Sequence, residues 1–127
     1  MKSFIISTVM LVSIILIWSF YNNYSDNVLH KYIGEIEDDI LVAVVNEDWE
    51  AADKSFDELS SEWHKYKKWA AFFFRTAVIN EADYSIAKAK HYIKAKDVSN
   101  ASGELACLKE QLTFMHYNES LKLDNIL

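Results

Sequence analysis

The stretch that decides the architecture is Phe4 to Tyr21, FIISTVMLVSIILIWSFY, which contains no charged residue, no Gly and no Pro. Its 18 residues would extend about 27 Å as a helix, close to the roughly 30 Å hydrocarbon core of a bilayer. The hydroxyl side chains within it can bond backbone carbonyls of the preceding turn, so they are tolerated in lipid. The sequence therefore predicts one transmembrane helix near the N-terminus.

The end of this run favours a retained anchor over a cleaved signal peptide. A signal peptide has an apolar core of about 7 to 15 residues, followed by small residues at the cleavage site. Here the bulky Trp18, Phe20 and Tyr21 occupy the exit. Together with Tyr24 they are typical of the aromatic belt at a membrane interface. Cleavage and a buried helix of a soluble protein are the alternatives.

The charges that flank the run predict its orientation. Lys2 and the amino terminus precede it, whereas the first charge after it is Asp26. The positive-inside rule then places the N-terminus in the cytoplasm. We therefore divide the chain into a cytoplasmic start and transmembrane anchor (residues 1–24) and an extracytoplasmic domain (residues 25–127), which makes it a single-pass protein of the cell membrane.

The rest of the chain has the composition of a small helical domain. About 105 residues follow the anchor, enough for a single modest core, and the whole sequence has no Pro and only two Gly. Sheets with turns normally need more of both residues. We therefore predict an all-α fold, in which the anchor is followed by a bundle of about four antiparallel helices arranged as two helical hairpins.

Apolar residues at three- and four-residue steps locate these helices. A polar hinge is expected at Asn22 to Asn27, where Ser25 or Asp26 would cap the next helix. The four predicted helices cover approximately Val28 to Val44, Trp49 to Tyr66, Lys68 to Lys96, and Val98 to Met115. The break between the second and third is poorly marked, and one kinked helix is the alternative. The apolar tail, Tyr117 to Leu127, is expected to dock onto the domain or onto a partner.

A weak internal repeat relates the two predicted hairpins. The residues Asp48, Trp49, Ala52, Phe56, Leu59 and Trp63 recur 49 positions later as Asp97, Val98, Ala101, Leu105, Leu108 and Leu112. The first copy resembles the second-helix portion of a tetratricopeptide repeat, which is a partner-binding unit. The period is too long for such repeats, however, and their proline and first-helix tryptophan pattern are missing. Ordinary packing of amphipathic hairpins is therefore the favoured interpretation.

Several short motifs follow the anchor. They are Asn46-Glu47-Asp48-Trp49 with Ala52, the pair Trp63 and Trp69, Tyr92-Ile93 before Lys96-Asp97, Glu104-Leu105, and the terminal run Leu121 to Leu127. With the anchor, and over nearly the full length, they resemble the bacterial family called domain of unknown function 4363. The resemblance implies a small anchored helical protein of Gram-positive bacteria and implies no reaction. The apolar and basic segment Phe72 to Arg75 departs from the family's pattern, which is more polar there.

Charge is divided unevenly along the chain. Residues 26–62 contain 12 acidic residues and 2 Lys, a net charge of −10, whereas residues 63–96 contain 8 Lys or Arg and 2 acidic residues, a net charge of +6. The favoured explanation is that the acidic hairpin and the basic third helix lie side by side and screen each other. The alternative is that the lysines face anionic lipid headgroups or acidic wall polymers. Nucleic acid is disfavoured as a partner because the domain is acidic overall.

No catalytic pattern is recognisable in this sequence. His30, His64, His91 and His116 lie on different segments, without a His-Glu-x-x-His motif or a Cys pair that would complete a metal site. Cys107 is the only cysteine. It could cross-link a dimer, although a partly buried and inert thiol is the favoured interpretation. We therefore expect no enzyme, no cofactor, no bound metal and no small-molecule substrate.

The favoured function is that of a structural or interaction protein that presents a partner-binding domain at the outer face of the cytoplasmic membrane. The expected partner is a membrane protein or a second copy of the chain. An aromatic patch next to basic residues is the candidate partner contact, formed by Trp69, Phe72, Phe74 and Arg75. The alternative is a binding module for an anionic envelope polymer or lipid, contacted by Lys65, Lys67 and Lys68.

Overall fold

The structure, a computed structural model, describes the backbone of residues 1–124 and the side chains of residues 1–118. These residues form four helices, named here α1 (Lys2–Val45), α2 (Trp49–Ala70), α3 (Thr76–Lys94) and α4 (Val98–Asp124). No strand occurs in the described backbone, and the predicted all-α fold is confirmed. Most of the C-terminal tail that was predicted to dock lies outside the described side chains.

The N-terminal part of α1 has the features of a lipid-exposed helix. Every side chain from Met1 to Ile17 is exposed. The hydroxyls of Ser7, Thr8 and Ser13 each donate to the carbonyl four residues earlier, at 2.9, 2.9 and 2.8 Å. These bonds pair the hydroxyls of Ser7, Thr8 and Ser13 within the helix, as predicted. In the described part of the chain, α1 is the one helix long and apolar enough to cross a membrane.

The predicted hinge at Asn22 to Asn27 is wrong, because α1 is helical throughout this segment. Ser25 does not cap a helix. It is fully buried, and its hydroxyl forms a hydrogen bond with the hydroxyl of Tyr66 on α2. Asp26 instead lies 3.1 Å from Nδ1 of His116 on α4. Contacts with two other helices hold this polar segment in the helical conformation, so the anchor continues directly into the bundle.

A π-helical segment, Glu35–Ile40, interrupts the regular hydrogen bonding of α1. Within it the amide of Leu41 bonds to the carbonyl of Ile36, five residues earlier. The wider turn of a π-helix changes the angle between successive side chains, and here Ile36 and Ile40 are both completely buried. The three acidic residues between them are exposed. The segment therefore keeps one apolar face towards the bundle.

The four helices form a closed bundle. Each of α2, α3 and α4 packs against the helix that precedes it, and α4 also packs against α1. The short connections make neighbouring helices antiparallel. All four helices contribute side chains less than 2% exposed to the core, namely Leu29, Ile36, Ile40, Phe56, Leu59, Trp63, Tyr66, Ile93, Leu105, Leu108, Leu112 and Met115. The predicted pair of hairpins is confirmed, with the C-terminal half of α1 as the first bundle helix.

The turn between α1 and α2 combines a helix end with a helix start. Glu47 has a left-handed backbone, with φ of 57°. This conformation lets the amide of Asp48 bond to the carbonyl of Ala43 at 2.9 Å, the longer bond of a Schellman motif. The Asp48 carboxylate then accepts a hydrogen bond from the amide of Ala51 at 3.2 Å and so caps α2.

The turn between α3 and α4 has the same geometry. Lys96 has φ of 56°, the amide of Asp97 bonds to the carbonyl of Tyr92 at 3.0 Å, and Asp97 caps α4 by accepting from the amide of Asn100 at 3.0 Å. Four of the five apolar pairs that define the 49-residue repeat are at most 1% exposed in both copies, namely Ala52 and Ala101, Phe56 and Leu105, Leu59 and Leu108, and Trp63 and Leu112, whereas Trp49 and Val98 are half-buried. The internal repeat is therefore a repeat of a turn and the helix that follows it.

Candidate contact surface at the anchor end of the bundle

The connection between α2 and α3 is the turn Ala71 to Arg75, at the end of the bundle nearest the apolar run. The amides of Phe73 and Phe74 both bond to the carbonyl of Ala70, at 2.9 and 2.8 Å, and Arg75 has an extended backbone with ψ of 139°. Two helices therefore replace the continuous kinked helix, the alternative that the sequence left open. The predicted start of the third helix, near Lys68, was too early because α2 continues to Ala70.

Three aromatic side chains around this turn form a surface that we call the aromatic tip, consisting of Trp69, Phe72 and Phe73. Their exposed fractions are 62%, 79% and 37%. By contrast, Trp63, two turns earlier on the same helix, is 1% exposed. A large apolar side chain in water is unfavourable, since burial of one typically contributes about 1.5 to 3 kcal/mol. The tip is therefore apolar surface that the bundle itself does not cover.

The structure separates the four residues that were predicted to form a partner contact. Trp69, Phe72 and Arg75 are exposed, whereas Phe74 is half-buried and packs against the core. Phe73 was not among the predicted contact residues, but it replaces Phe74 beside Trp69 and Phe72 on the exposed surface. Its ring stacks on that of Tyr21 in α1, with centroids 3.6 Å apart and an angle of 17° between the planes. The one feature of the sequence that pointed to this contact was Tyr21 itself, an aromatic residue at the end of the apolar run.

The basic residues near the tip are not equivalent. Lys65 and Lys68 are exposed and form no salt bridge with the described side chains. Lys67 instead lies 2.8 Å from Asp83 on α3. Of the three lysines predicted to contact an anionic surface, two are therefore available and one holds α2 against α3.

Asp83 is the polar centre of the contact between α2 and α3. It accepts hydrogen bonds from the indole nitrogen of Trp63 at 2.7 Å and from Lys67 at 2.8 Å. Partial burial acts to raise the pKa of this carboxyl, but the hydrogen bonds from Lys67 and Trp63 outweigh it and hold the pKa below its ordinary value. The carboxylate is consequently charged and fixed in place at neutral pH.

The acidic and basic parts of the chain meet along the bundle, as the favoured explanation of the charge pattern requires. Lys90 of α3 lies 2.7 Å from Asp53 of α2 and also pairs with Asp57. Although partial burial acts to lower its pKa, the hydrogen bonds to both carboxylates raise the pKa of Lys90 above its ordinary value. Outside the basic segment, Lys109 of α4 lies 2.9 Å from Glu37 of α1.

Two of the four histidines lie side by side, since the rings of His30 and His116 have centroids 6.0 Å apart, but they do not form part of a metal site with the cysteine. His30, His64 and His91 are exposed, and no group of three or more His, Cys, Asp or Glu among the described residues is placed to hold a metal ion. Cys107 is exposed, so the expectation of a partly buried thiol was wrong. Its sulfur lies 3.6 Å from Nε2 of Gln111 on the same helix.

Comparison with known protein families gives a match to the family described as "Domain of unknown function (DUF4363)", over residues 19–126. The chain belongs to this family. The DUF4363 match takes in the bundle part of α1 and helices α2 and α3, together with α4. It covers only the last three residues of the Phe4 to Tyr21 run. No curated protein and no solved structure matches the chain.

Proposed function

We propose that this DUF4363 protein is a membrane-anchored accessory protein that binds a partner beside the membrane. Its N-terminal helix would span the cytoplasmic membrane with the N-terminus inside, and the bundle would lie on the outer face. The aromatic tip carries this proposal. It leaves two large aromatic side chains uncovered, Trp69 and Phe72, in a bundle that buries Phe56, Trp63 and Tyr66 almost completely.

The position of the tip indicates what kind of partner fits. Phe73 stacks on Tyr21, so Trp69 and Phe72 lie beside the point where α1 leaves its apolar run. A partner that reaches this level is itself embedded in the membrane. Exposed aromatic residues next to a cation such as Arg75 are typical of the residues that dominate binding at protein interfaces. A membrane protein, or a second copy of this chain, is therefore the expected partner.

In-cell cross-linking of the full-length chain with a C-terminal tag, followed by detergent purification and mass spectrometry, tests this function. The wild-type chain should recover one membrane protein in constant proportion. Phe72→Ser should lose that protein, whereas Tyr84→Ser, which changes another exposed aromatic residue on α3 (66% exposed), should keep it. Unchanged far-UV circular dichroism of both variants is the folding control. Recovery of the chain with no partner and no second copy would contradict the proposal.

The second candidate function is a binding module for an anionic envelope polymer or lipid. The exposed Lys65 and Lys68, which lack a salt bridge to the described side chains, favour it. Such binding depends on charge and would weaken steeply as salt shortens the Debye length. Association that is insensitive to salt but sensitive to Phe72→Ser would favour the accessory protein instead.

A further inference from the structure

The height of the aromatic tip can be read along α1. Tyr21 is the last residue of the apolar run, and its ring stacks on Phe73 with centroids 3.6 Å apart. Because α1 is unbroken from Lys2 to Gly34, the run and the tip have a fixed relative position. The tip therefore lies level with the end of the anchor, not farther along the bundle.

This height corresponds to a definite layer of a bilayer. If the 18-residue run fills the hydrocarbon core, Tyr21 marks the boundary between acyl chains and headgroups. The headgroup layer is about 5 to 7 Å thick on each side, the difference between a full bilayer and its core. A ring stacked on Tyr21 falls within that layer. Trp and other aromatic side chains are favoured there because their rings accept an environment that is part apolar and part wet.

The two ends of the bundle differ in the way that such a contact requires. At the anchor end, Tyr24 and Tyr117 are also exposed, at 48% and 64%. The contact between His116 and Asp26 places Tyr117 just above the level of the tip. At the opposite end, the two turns carry polar and charged residues, Asn46-Glu47-Asp48 and Lys96-Asp97. Trp69, Phe72, Phe73, Tyr24 and Tyr117 thus form a group of exposed aromatic residues where the bundle approaches the membrane. Tyr84 on α3 and Phe114 on α4 are exposed outside this group, and the exposed large apolar residues nearest the opposite end are the aliphatic Val42 and Val45.

The charges around the tip are also suited to lipid headgroups. Lys68 and Arg75 flank the aromatic residues and are exposed, and the first turn of α3 contains no acidic residue. Long basic side chains can extend towards phosphate groups while their aliphatic parts stay on apolar surface. Anionic headgroups attract such side chains close to the membrane.

We propose that the aromatic tip is inserted into the headgroup layer of the leaflet that α1 leaves, so that the protein contacts the bilayer at two points. The proposal rests on the function proposed above in one respect, namely that α1 spans the membrane. Lipid occupies the tip when no partner is bound. A partner embedded in the membrane would displace that lipid.

A single fluorescent label tests the depth of the tip. Because Cys107 is the only cysteine, Cys107→Ser gives a full-length chain into which one new cysteine can be placed. Ala71→Cys puts the label in the turn without removing an aromatic residue, and Glu50→Cys puts it at the opposite end of α2, where the side chain is also exposed. Each purified chain is labelled with an environment-sensitive dye and reconstituted in vesicles of phosphatidylcholine and phosphatidylglycerol.

Lipids that carry a nitroxide quencher on the headgroup or near the top of the acyl chain then report contact. The label at Ala71→Cys should be quenched several-fold more than the label at Glu50→Cys and should emit at shorter wavelength. The combined change Trp69→Ser and Phe72→Ser should bring the Ala71→Cys label to the value of the Glu50→Cys label, with unchanged circular dichroism. If the label remained quenched in that variant, the dye itself and not the aromatic residues would hold it in the membrane. That result would overturn the proposal.

Failure of this inference and failure of the proposed function give different results. A label on Leu11→Cys reports independently whether α1 is in the membrane. If that label is quenched by deep nitroxides while Ala71→Cys is as aqueous as Glu50→Cys, the tip does not insert. A partner recovered by cross-linking would then make the tip a protein contact. If Ala71→Cys is quenched and cross-linking recovers no partner, the tip inserts and the accessory function is wrong.

Discussion

Two residues in the turns of the bundle hold a left-handed backbone without being glycine. Glu47 and Lys96 stand where a helix C-terminus most often has Gly. The absence of Gly there removed the usual sequence signal for a helix end. The aspartate that follows each of them is a typical N-terminal cap and so indicated the start of the next helix. Both turns were therefore located correctly from the sequence. Their left-handed geometry was not predicted, because the hydrogen bonds that accompany it, from Asp48 to Ala43 and from Asp97 to Tyr92, are backbone bonds that no Gly or Asn marks in the sequence.

Because the left-handed backbone at these positions is strained, we expect that a glycine in place of Lys96 stabilises the protein. Lys96→Gly should raise the free energy of unfolding by roughly 0.5 to 1 kcal/mol. The left-handed conformation costs an L-residue about 1 to 2 kcal/mol, and the greater unfolded-state freedom of Gly offsets part of the gain. Ala87→Gly, an exposed position inside α3, should instead lose about 0.5 to 1 kcal/mol. Denaturant unfolding of the full-length chain in detergent, followed by circular dichroism, measures both. If Lys96→Gly and Ala87→Gly changed the free energy of unfolding equally and in the same direction, the prediction would be wrong.

Asp83 gives a prediction about pH. Its pKa is lowered in the folded state, so the stabilisation that its charge supplies is fully present above the ordinary value of 3.8 and is lost as the pH falls through the folded pKa. Asp83→Asn should be less stable than wild type by at most about 1 kcal/mol at neutral pH, since the pair with Lys67 is partly exposed. The difference in thermal midpoint should shrink when both proteins are melted below pH 3.8. A gap that stayed constant with pH would show that charge is not its cause.

At the scale of the helix, α1 and the connection between α2 and α3 show what a local pattern does not determine. Asn22, Asn23 and Asn27 are polar and poor helix formers, and they favoured a hinge. The helix continues there because Ser25 bonds to Tyr66 on another helix. Conversely, no Gly or Pro marks the end of α2, which stops where Phe74 turns back onto the core. In both places tertiary contacts override local preference, and such contacts are invisible in a single sequence.

The continuity of α1 can be tested at Asn23, which is exposed. Asn23→Pro should cost about 3 kcal/mol, because the ring removes a hydrogen bond and clashes with the preceding turn. Asn23→Ala should be neutral or stabilising by up to about 0.5 kcal/mol, since Ala is the better helix former. Thermal unfolding in detergent with circular dichroism distinguishes them. A hinge in this segment would tolerate the proline. Equal melting temperatures of Asn23→Pro and Asn23→Ala would therefore show that the segment is a hinge.

For the whole molecule, the sequence was sufficient for the fold class and for most of the core. Apolar residues at three- and four-residue steps predicted one buried face of α2 that includes Phe56, Leu59 and Trp63, and the repeat predicted their counterparts in α4. The contact surface was predicted less completely. The sequence placed Trp69 and Phe72 in the candidate contact, and both are exposed, whereas Phe74 of the same candidate contact packs against the core. The placement of Trp69 and Phe72 beside Tyr21 required the antiparallel packing of α2 on α1.

The internal repeat predicts matching behaviour at two small residues. Ala52 and Ala101 are completely buried one turn into α2 and α4, where there is no room for a larger side chain. Ala52→Leu and Ala101→Leu should each destabilise the bundle by about 1 to 3 kcal/mol through overpacking. Ala106→Leu, on the exposed face of α4, should change stability by less than about 0.5 kcal/mol. Denaturant unfolding measures all three, and tolerance at only one buried site would show that the two hairpins are packed differently.

Because α1 is unbroken, the apolar run and the far end of the bundle move as one rigid body. In a bilayer whose hydrocarbon core is thinner than the roughly 27 Å of the run, the helix would tilt, and a joint at the membrane surface would absorb that tilt. Here there is no joint, so a tilt of the anchor is carried to Val45, 24 residues beyond Tyr21 and about 36 Å away at 1.5 Å per residue. A change of about 10° in tilt would swing that end sideways by about 6 Å. If α1 spans a membrane as proposed, bilayer thickness is thereby converted into the position of a surface far from the lipid.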